Sequence, residues 1–151
     1  KDTLHGGRGK DTLLGGTGSD QLIGGHQDDQ LKGQDGNDSL RGRHGDDNLN
    51  GNKGNDHLKG KRGDDKLHGG DDDDTLIGGY GADRFVLSTG NDTITDFDPE
   101  QGDQLAINPA LTLSFQQDGD HLLLLDDANS INTTLRNTSL DQLLAAHPQL
   151  A

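Results

Sequence analysis

An aspartate returns every nine residues through the first half of this chain: Asp2, Asp11, Asp20, Asp29, Asp38, Asp47, Asp56, Asp65, Asp74 and Asp83. One aspartate at such a place does no more than start a turn or a strand. Ten in unbroken register are a repeating supply of hard, anionic oxygen, the ligand type that hard cations take. Two places after each comes an apolar side chain: Leu4, Leu13, Leu22, Leu31, Leu40, Leu49, Leu58, Leu67, Leu76 and Phe85.

Gly15-Gly16-Thr17-Gly18-Ser19-Asp20-Gln21-Leu22-Ile23 serves as the unit, with its residues as places one to nine. Glycine holds place one at Gly6, Gly15, Gly24, Gly33, Gly42, Gly51, Gly60, Gly69 and Gly78. It holds place two in five units, Gly7 and Gly16 among them, and place four at Gly9, Gly18, Gly36, Gly45, Gly54, Gly63 and Gly81. Asp-x-Leu-x alternates as a strand does, with leucine on one face and its neighbours on the other. Three or four such residues are too few to stand alone, so the strands must stack on copies of themselves. The glycine-rich places reverse the chain.

Two units therefore make one coil of 18 residues: strand, turn, oppositely directed strand, turn. Stacked coils give two parallel sheets with the leucines between them. One edge stacks the turns ending at Asp11, Asp29, Asp47, Asp65 and Asp83, and the other those ending at Asp20, Asp38, Asp56 and Asp74. Their carboxylates lie about 5 Å apart, the spacing of adjacent strands. Such columns repel, and the turn carbonyls lack partners. Calcium resolves both, since it takes six to eight carboxylate and carbonyl oxygens in flexible geometry. Magnesium demands tight octahedral geometry and keeps its waters. Counting gaps between complete turns predicts about seven calcium ions or more.

These repeats resemble the repeats-in-toxin (RTX) family of calcium-binding nonapeptide proteins, over nine units from Gly6 to Val86 and half a unit before them. The resemblance implies an all-β, right-handed parallel β-roll. It also implies that the nine aspartates from Asp11 to Asp83 and the turn glycines named above are the metal ligands. Departures lie in the middle, at Gln34, Arg43, Asn52 and Lys61 in place two and at Gln27 and Asp72 in place four, which leaves the turn geometry there open. Family rolls often follow proteases, lipases, epimerases or toxins, and the extreme carboxy terminus carries an uncleaved type I secretion signal. A secreted or cell-surface bacterial protein is implied, with the type I secretion machinery as a partner.

The expected division is a roll over residues 1–86 and a capping, secretion-signal region over 87–151. Gly90-Asn91-Asp92-Thr93-Ile94 keeps the register once more, then Gly102-Asp103-Gln104-Leu105-Ala106-Ile107 restates the pattern out of phase. Asp92, Asp96 and Asp98 are candidates for a last calcium site over the edge ending at Asp74; the alternative is a solvated acidic loop. Leu111–Phe115 and His121–Leu125 flank Asp118-Gly119, a hairpin signal. Asn132–Leu135 reads as a strand. Ser139-Leu140-Asp141-Gln142 reads as a capping box opening a short helix that Pro148 ends.

Hydrophobic residues make up 26% and aromatics 3%, with mean hydropathy −0.89. That is the composition of a disordered chain, so the ordered roll is expected to need calcium to fold. A net charge of −14 excludes nucleic acid as a partner, since phosphate binding needs a basic surface. No cysteine is present and no apolar run approaches a membrane span. The chain begins in mid-repeat at Lys1 and reads as cut from something longer. Zinc-protease, nucleophile-elbow and phosphate-loop motifs are missing, so no catalysis is expected within this chain. A monomer is expected. One competing reading is a binding module: Lys32, Arg41, Lys59 and Lys66 on strands, with Arg43, Lys53, Lys61 and Arg62 in turns, could form a stripe for acidic polysaccharide or a cell surface. The plainer alternative is that these cations offset the carboxylate columns.

Overall fold

Alternation at places seven to nine carries each strand further than three or four residues. The computed structural model describes residues 1–107, 113–126 and 130–148. Nine six-residue strands run from place seven through place three: β1 (Thr3–Arg8), β2 (Thr12–Thr17), β3 (Gln21–His26), β4 (Gln30–Asp35), β5 (Ser39–His44), β6 (Asn48–Lys53), β7 (His57–Arg62), β8 (Lys66–Asp71) and β9 (Thr75–Tyr80). The residues at places one and two thus belong to the strand, and the reversal is left to places four to six.

Odd and even strands separate. One sheet has the order β1-β3-β5-β7-β9 and the other β8-β6-β4-β2, all in parallel pairs. Partners are one coil apart, as in Leu22↔Leu40, Leu40↔Leu58 and Leu49↔Leu67. The leucines at place eight form a closed column: Leu22, Leu31, Leu40, Leu49, Leu58, Leu67, Leu76 and Phe85 are essentially inaccessible. This is a parallel β-solenoid whose interior is about one side chain thick.

The sheets run on across residue 86. β10 (Arg84–Val86) extends the even sheet and β11 (Gly90–Ile94) the odd one; β12 (Gln104–Ala106) then ends the even sheet against β10. The odd sheet continues through β15 (Ile131–Leu135), which pairs parallel with β11, and turns antiparallel through β14 (His121–Asp126) and β13 (Leu113–Asp118). The hairpin forms where Asp118-Gly119 marks it; Leu111 and Thr112 of the expected strand lie outside the described residues. Helix α1 (Leu140–Ala146) opens on a complete capping box of Ser139 and Gln142. Its Leu143 joins Phe97, Leu105, Leu122, Leu124 and Leu135 over the end of the leucine column. His147 closes the seam: its Nε2 accepts the Leu105 N–H at 3.2 Å, the outer edge of the last even strand.

Places two and four keep positive φ whatever residue occupies them. Gln27 has φ 72°, Asp72 77°, Gln34 82°, Asn52 80°, Arg43 90° and Lys61 97°. The departures from glycine therefore retain the turn geometry, each at a cost of about 1–3 kcal/mol of backbone strain.

Candidate metal centre

Each place-six aspartate clamps two coils. On one edge the N–H of Asp11 donates to Asp29 Oδ1 at 2.8 Å, and the pattern repeats from Asp29 to Asp47, Asp47 to Asp65 and Asp65 to Asp83. On the other it runs from Asp2 through Asp20, Asp38, Asp56 and Asp74. One oxygen of each carboxylate thus takes the place of a strand partner for the turn of the coil before it.

The second oxygen has no such use. Oδ2 of Asp11, Asp20, Asp29, Asp38, Asp47, Asp56, Asp65, Asp74 and Asp83 is buried without a hydrogen-bond partner. It is aimed at the place-one glycine five residues back. A Cβ added to Gly6 would lie 2.6 Å from Asp11 Oδ2 and 2.8 Å from the Gly24 carbonyl oxygen of the next coil. At Gly15 the corresponding distances are 2.9 Å to Asp20 Oδ2 and 2.6 Å to the Gly33 carbonyl. The same crowding recurs at Gly33 and Gly51, and at Gly69 the Asp74 carboxylate alone fills the space, so place one is glycine for space, with no positive φ there. An anionic oxygen from one turn and a carbonyl oxygen from the next thus approach each other at Gly6, Gly15, Gly33 and Gly51. That donor set suits a small, hard cation such as calcium.

Burial pushes these carboxyls up, and backbone donors and neighbouring carboxylates modulate the rise. Asp47 and Asp83 are raised to about 6, Asp56 to about 7, and Asp65 and Asp74 to about 8; Asp29 and Asp38 are raised as well. In each the largest cause is desolvation of the charged form, opposed by the N–H from the coil before and reinforced by neighbouring carboxylates. Without a counter-cation the middle of the stack holds protons near neutral pH.

The three carboxylates expected over Asp74 do not converge. Asp92 does continue that edge, accepting the Asp74 N–H at 3.1 Å, but its Oδ2 already accepts from Ser88 Oγ. Asp96 accepts the Gly78 N–H at 3.0 Å, which puts it over the turn ending at Asp83, on the opposite edge. Asp98 holds its own loop through the N–H of Glu100 and the side chain of Gln101. The residue that extends the Asp83 edge is Asp103, whose Oδ1 accepts the Asp83 N–H at 2.9 Å across 20 residues. Its signal was the out-of-phase Gly102-Asp103-x-Leu105, which regains register once the last turn is allowed two extra residues. A second, exposed ladder at place five also went unread: Asp46 N–H to Asp28, Asp64 N–H to Asp46 and Ala82 N–H to Asp64.

The family model for the RTX calcium-binding nonapeptide repeat (4 copies) matches residues 1–31, 23–58 and 59–94. The chain belongs to this RTX family. It is an RTX calcium-binding repeat module, and its two aspartate ladders lie within the matched residues and continue to Asp103. Among solved structures, the chain is similar to the AlgE6R3 subunit of the Azotobacter vinelandii mannuronan C5-epimerase, at 26% identity and TM-score 0.44, over 85% of this chain and 73% of that one. It is also similar to the extracellular lipase LipA from Serratia marcescens, at 17% identity and TM-score 0.42 over 89% of the RTX chain, which spans 39% of the lipase. A search of curated proteins for relatives finds no match.

Proposed function

We propose that this RTX chain is a calcium-gated folding module belonging to the carboxy-terminal part of a bacterial protein exported by type I secretion. The observation that carries the reading is the set of nine buried Oδ2 atoms without partners, with a place-one carbonyl of the next coil close by at Asp11, Asp20, Asp38 and Asp56. Asp11, Asp29, Asp47, Asp65, Asp83 and Asp103 would hold calcium along one edge, with Asp20, Asp38, Asp56, Asp74 and Asp92 along the other. Place-one carbonyls supply further oxygens. Gaps between complete turns then number nine, five on the first edge and four on the second. Bound calcium cancels the repulsion within each column and ties neighbouring coils together. The chain's own clamps, N–H to Oδ1, set the spacing and aim Oδ2.

The thin leucine column and strained turns leave the calcium-free roll weak, and its carboxylates oppose stacking. A chain that stays unfolded where calcium is scarce suits passage through a secretion channel. Folding then follows in a medium where calcium reaches the roughly millimolar level at which extracellular modules bind it. Circular dichroism and small-angle scattering during a calcium titration test the gate. Strand signal and compaction should appear together as calcium rises. The same folded sheet in excess chelator would overturn the reading.

A further inference from the structure

The basic residues of the middle repeats do not form one stripe. Lys32, Lys53 and Lys66 go to three different strands of the even sheet, β4, β6 and β8. Arg41, Arg43, Lys59, Lys61 and Arg62 all fall on β5 and β7, adjacent in the odd sheet, together with His44 and His57. Register sets Arg41 beside Lys59, Arg43 beside Lys61 and His44 beside Arg62. Neighbouring strands are about 4.8 Å apart, and alternate residues on one strand about 6.6 Å. Neither strand carries an acid, and all of these side chains are exposed except the half-buried Lys59, whose charge favours the ionised form of Asp96. Among the described residues the ion pairs involve only Lys1 and Lys10.

Two costs are accepted at this face. Like charges are neighbours, and the Lys61 amine is pushed down chiefly by Lys59, with Arg41 and Arg43 adding to it. Arg43 and Lys61 also occupy place two at φ 90° and 97°, where the same column of the same sheet has Gly7, Gly25 and Gly79. The even sheet bears neutral amides, Gln34 and Asn52, at its own departures. Folding alone does not call for cations at strained, mutually repelling positions; an anionic ligand does. Beside Arg62 on the next strand stands Tyr80, the chain's single tyrosine, 72% exposed. An open aromatic ring on a charged sheet offers an apolar face for a sugar ring.

We infer that the outer face of β5, β7 and β9 binds an acidic polysaccharide of the polyuronate class. Arg41 and Arg43 take ring carboxylates through paired N–H donors, Lys59, Lys61 and Arg62 hold the next one, and Tyr80 packs against a sugar face. A nucleic-acid strand and a polyuronate each bring one charge per residue, so charge alone does not separate them. The exposed phenol ring of Tyr80 beside Arg62 offers the sugar faces of a polyuronate an apolar contact, and a DNA comparator reports bulk attraction for polyanions. The face exists only in the folded roll, so the inference rests on calcium-dependent folding.

The test uses the full chain in saturating calcium, with a galacturonate octamer as ligand. A single-stranded DNA octamer and a carboxyl-reduced octamer serve as comparators, and circular dichroism of each sample reports the fold. Tyr80 is the intrinsic fluorophore, and its emission should change on adding the galacturonate octamer alone. Arg43→Gly with Lys61→Gly restores glycine at both strained places. It should leave the calcium midpoint unchanged or lower, and weaken octamer binding at least tenfold by calorimetry. Tyr80→Leu should weaken it several-fold. Unchanged affinity in the folded double variant would overturn the inference. So would equal binding of the DNA octamer, which marks bulk attraction for polyanions. Self-association of the chain that the octamer does not disperse would assign the face to a second copy instead.

Discussion

Asp56 Oδ2, buried and unpartnered, sits where a side chain on Gly51 would go. Gly51→Ala would press a methyl against that oxygen and to within 2.6 Å of the Gly69 carbonyl, all of it backbone or clamped carboxylate. We expect a loss of about 1–3 kcal/mol and a higher calcium midpoint. The neighbouring Asn52→Gly has the opposite sign. It relieves φ 80° and should lower the midpoint slightly, by the equivalent of a few tenths to about 1 kcal/mol. Asp47 accepts from Asp29 and donates to Asp65, with no tie to Asp38 or Asp56, its nearer neighbours in sequence. Asp47→Ala should therefore empty calcium sites on one edge and leave the opposite edge loaded. Calcium bridging turns nine residues apart, seen in a crystal structure of the calcium form, would contradict this.

At the scale of elements, the even sheet ends on β12 and the cap must satisfy that edge. His147 does so as an acceptor, which requires a neutral imidazole, and burial lowers its pKa below the ordinary 6.5. The folded state therefore binds the proton less readily than the unfolded chain. Stability from this contact is fully present above about pH 6.5 and is lost as pH falls below it. His147→Ala leaves the Leu105 N–H buried without its acceptor, at a cost of about 1–3 kcal/mol. The variant should lose the wild-type decline in cap stability as pH falls below about 6.5. Amide exchange at Leu105 in the calcium form measures it, and an unchanged protection profile would remove His147 from the cap.

Across the whole molecule the aspartate columns set the opposite pH trend for the calcium-free chain. Folded-state values of about 6 to 8 for Asp47, Asp56, Asp65, Asp74, Asp83 and Asp92 exceed the ordinary 3.8, so folding takes up protons. Their unfavourable effect is absent below about pH 4 and grows as pH rises toward 8. In metal-stripped buffer the chain should be more compact and strand-rich near pH 4.5 than at pH 8, despite the protonation of His147. Calcium binding near pH 4.5 should release the protons that this compact form holds, whereas binding at pH 8 to the expanded, ionised chain should release none. The calcium midpoint should rise as pH falls. Scattering and proton-release calorimetry check the two halves. A calcium-free chain equally expanded at both pH values would show that the columns do not govern folding.

Much of this was determined by the sequence alone, because a nine-residue period is a local rule applied repeatedly. Leucine at place eight must face inward and aspartate at place six must end each turn, so the coil, the two sheets and the two aspartate columns were legible from Asp2 to Phe85. The capping box at Ser139 and the hairpin at Asp118-Gly119 were legible for the same reason, since both are made by residues close in sequence. Tertiary structure decided what depends on neighbours a full coil apart. It moved Asp96 to the edge opposite Asp92, brought Asp103 into line after a turn with two extra residues, and gave His147 the free edge of β12. It also sorted the cations, gathering Arg41, Arg43, Lys59, Lys61 and Arg62 on β5 and β7 while leaving Lys32, Lys53 and Lys66 on the even sheet. A turn reverses the chain wherever its residues allow, but which side chains then stand side by side is set by how whole coils stack.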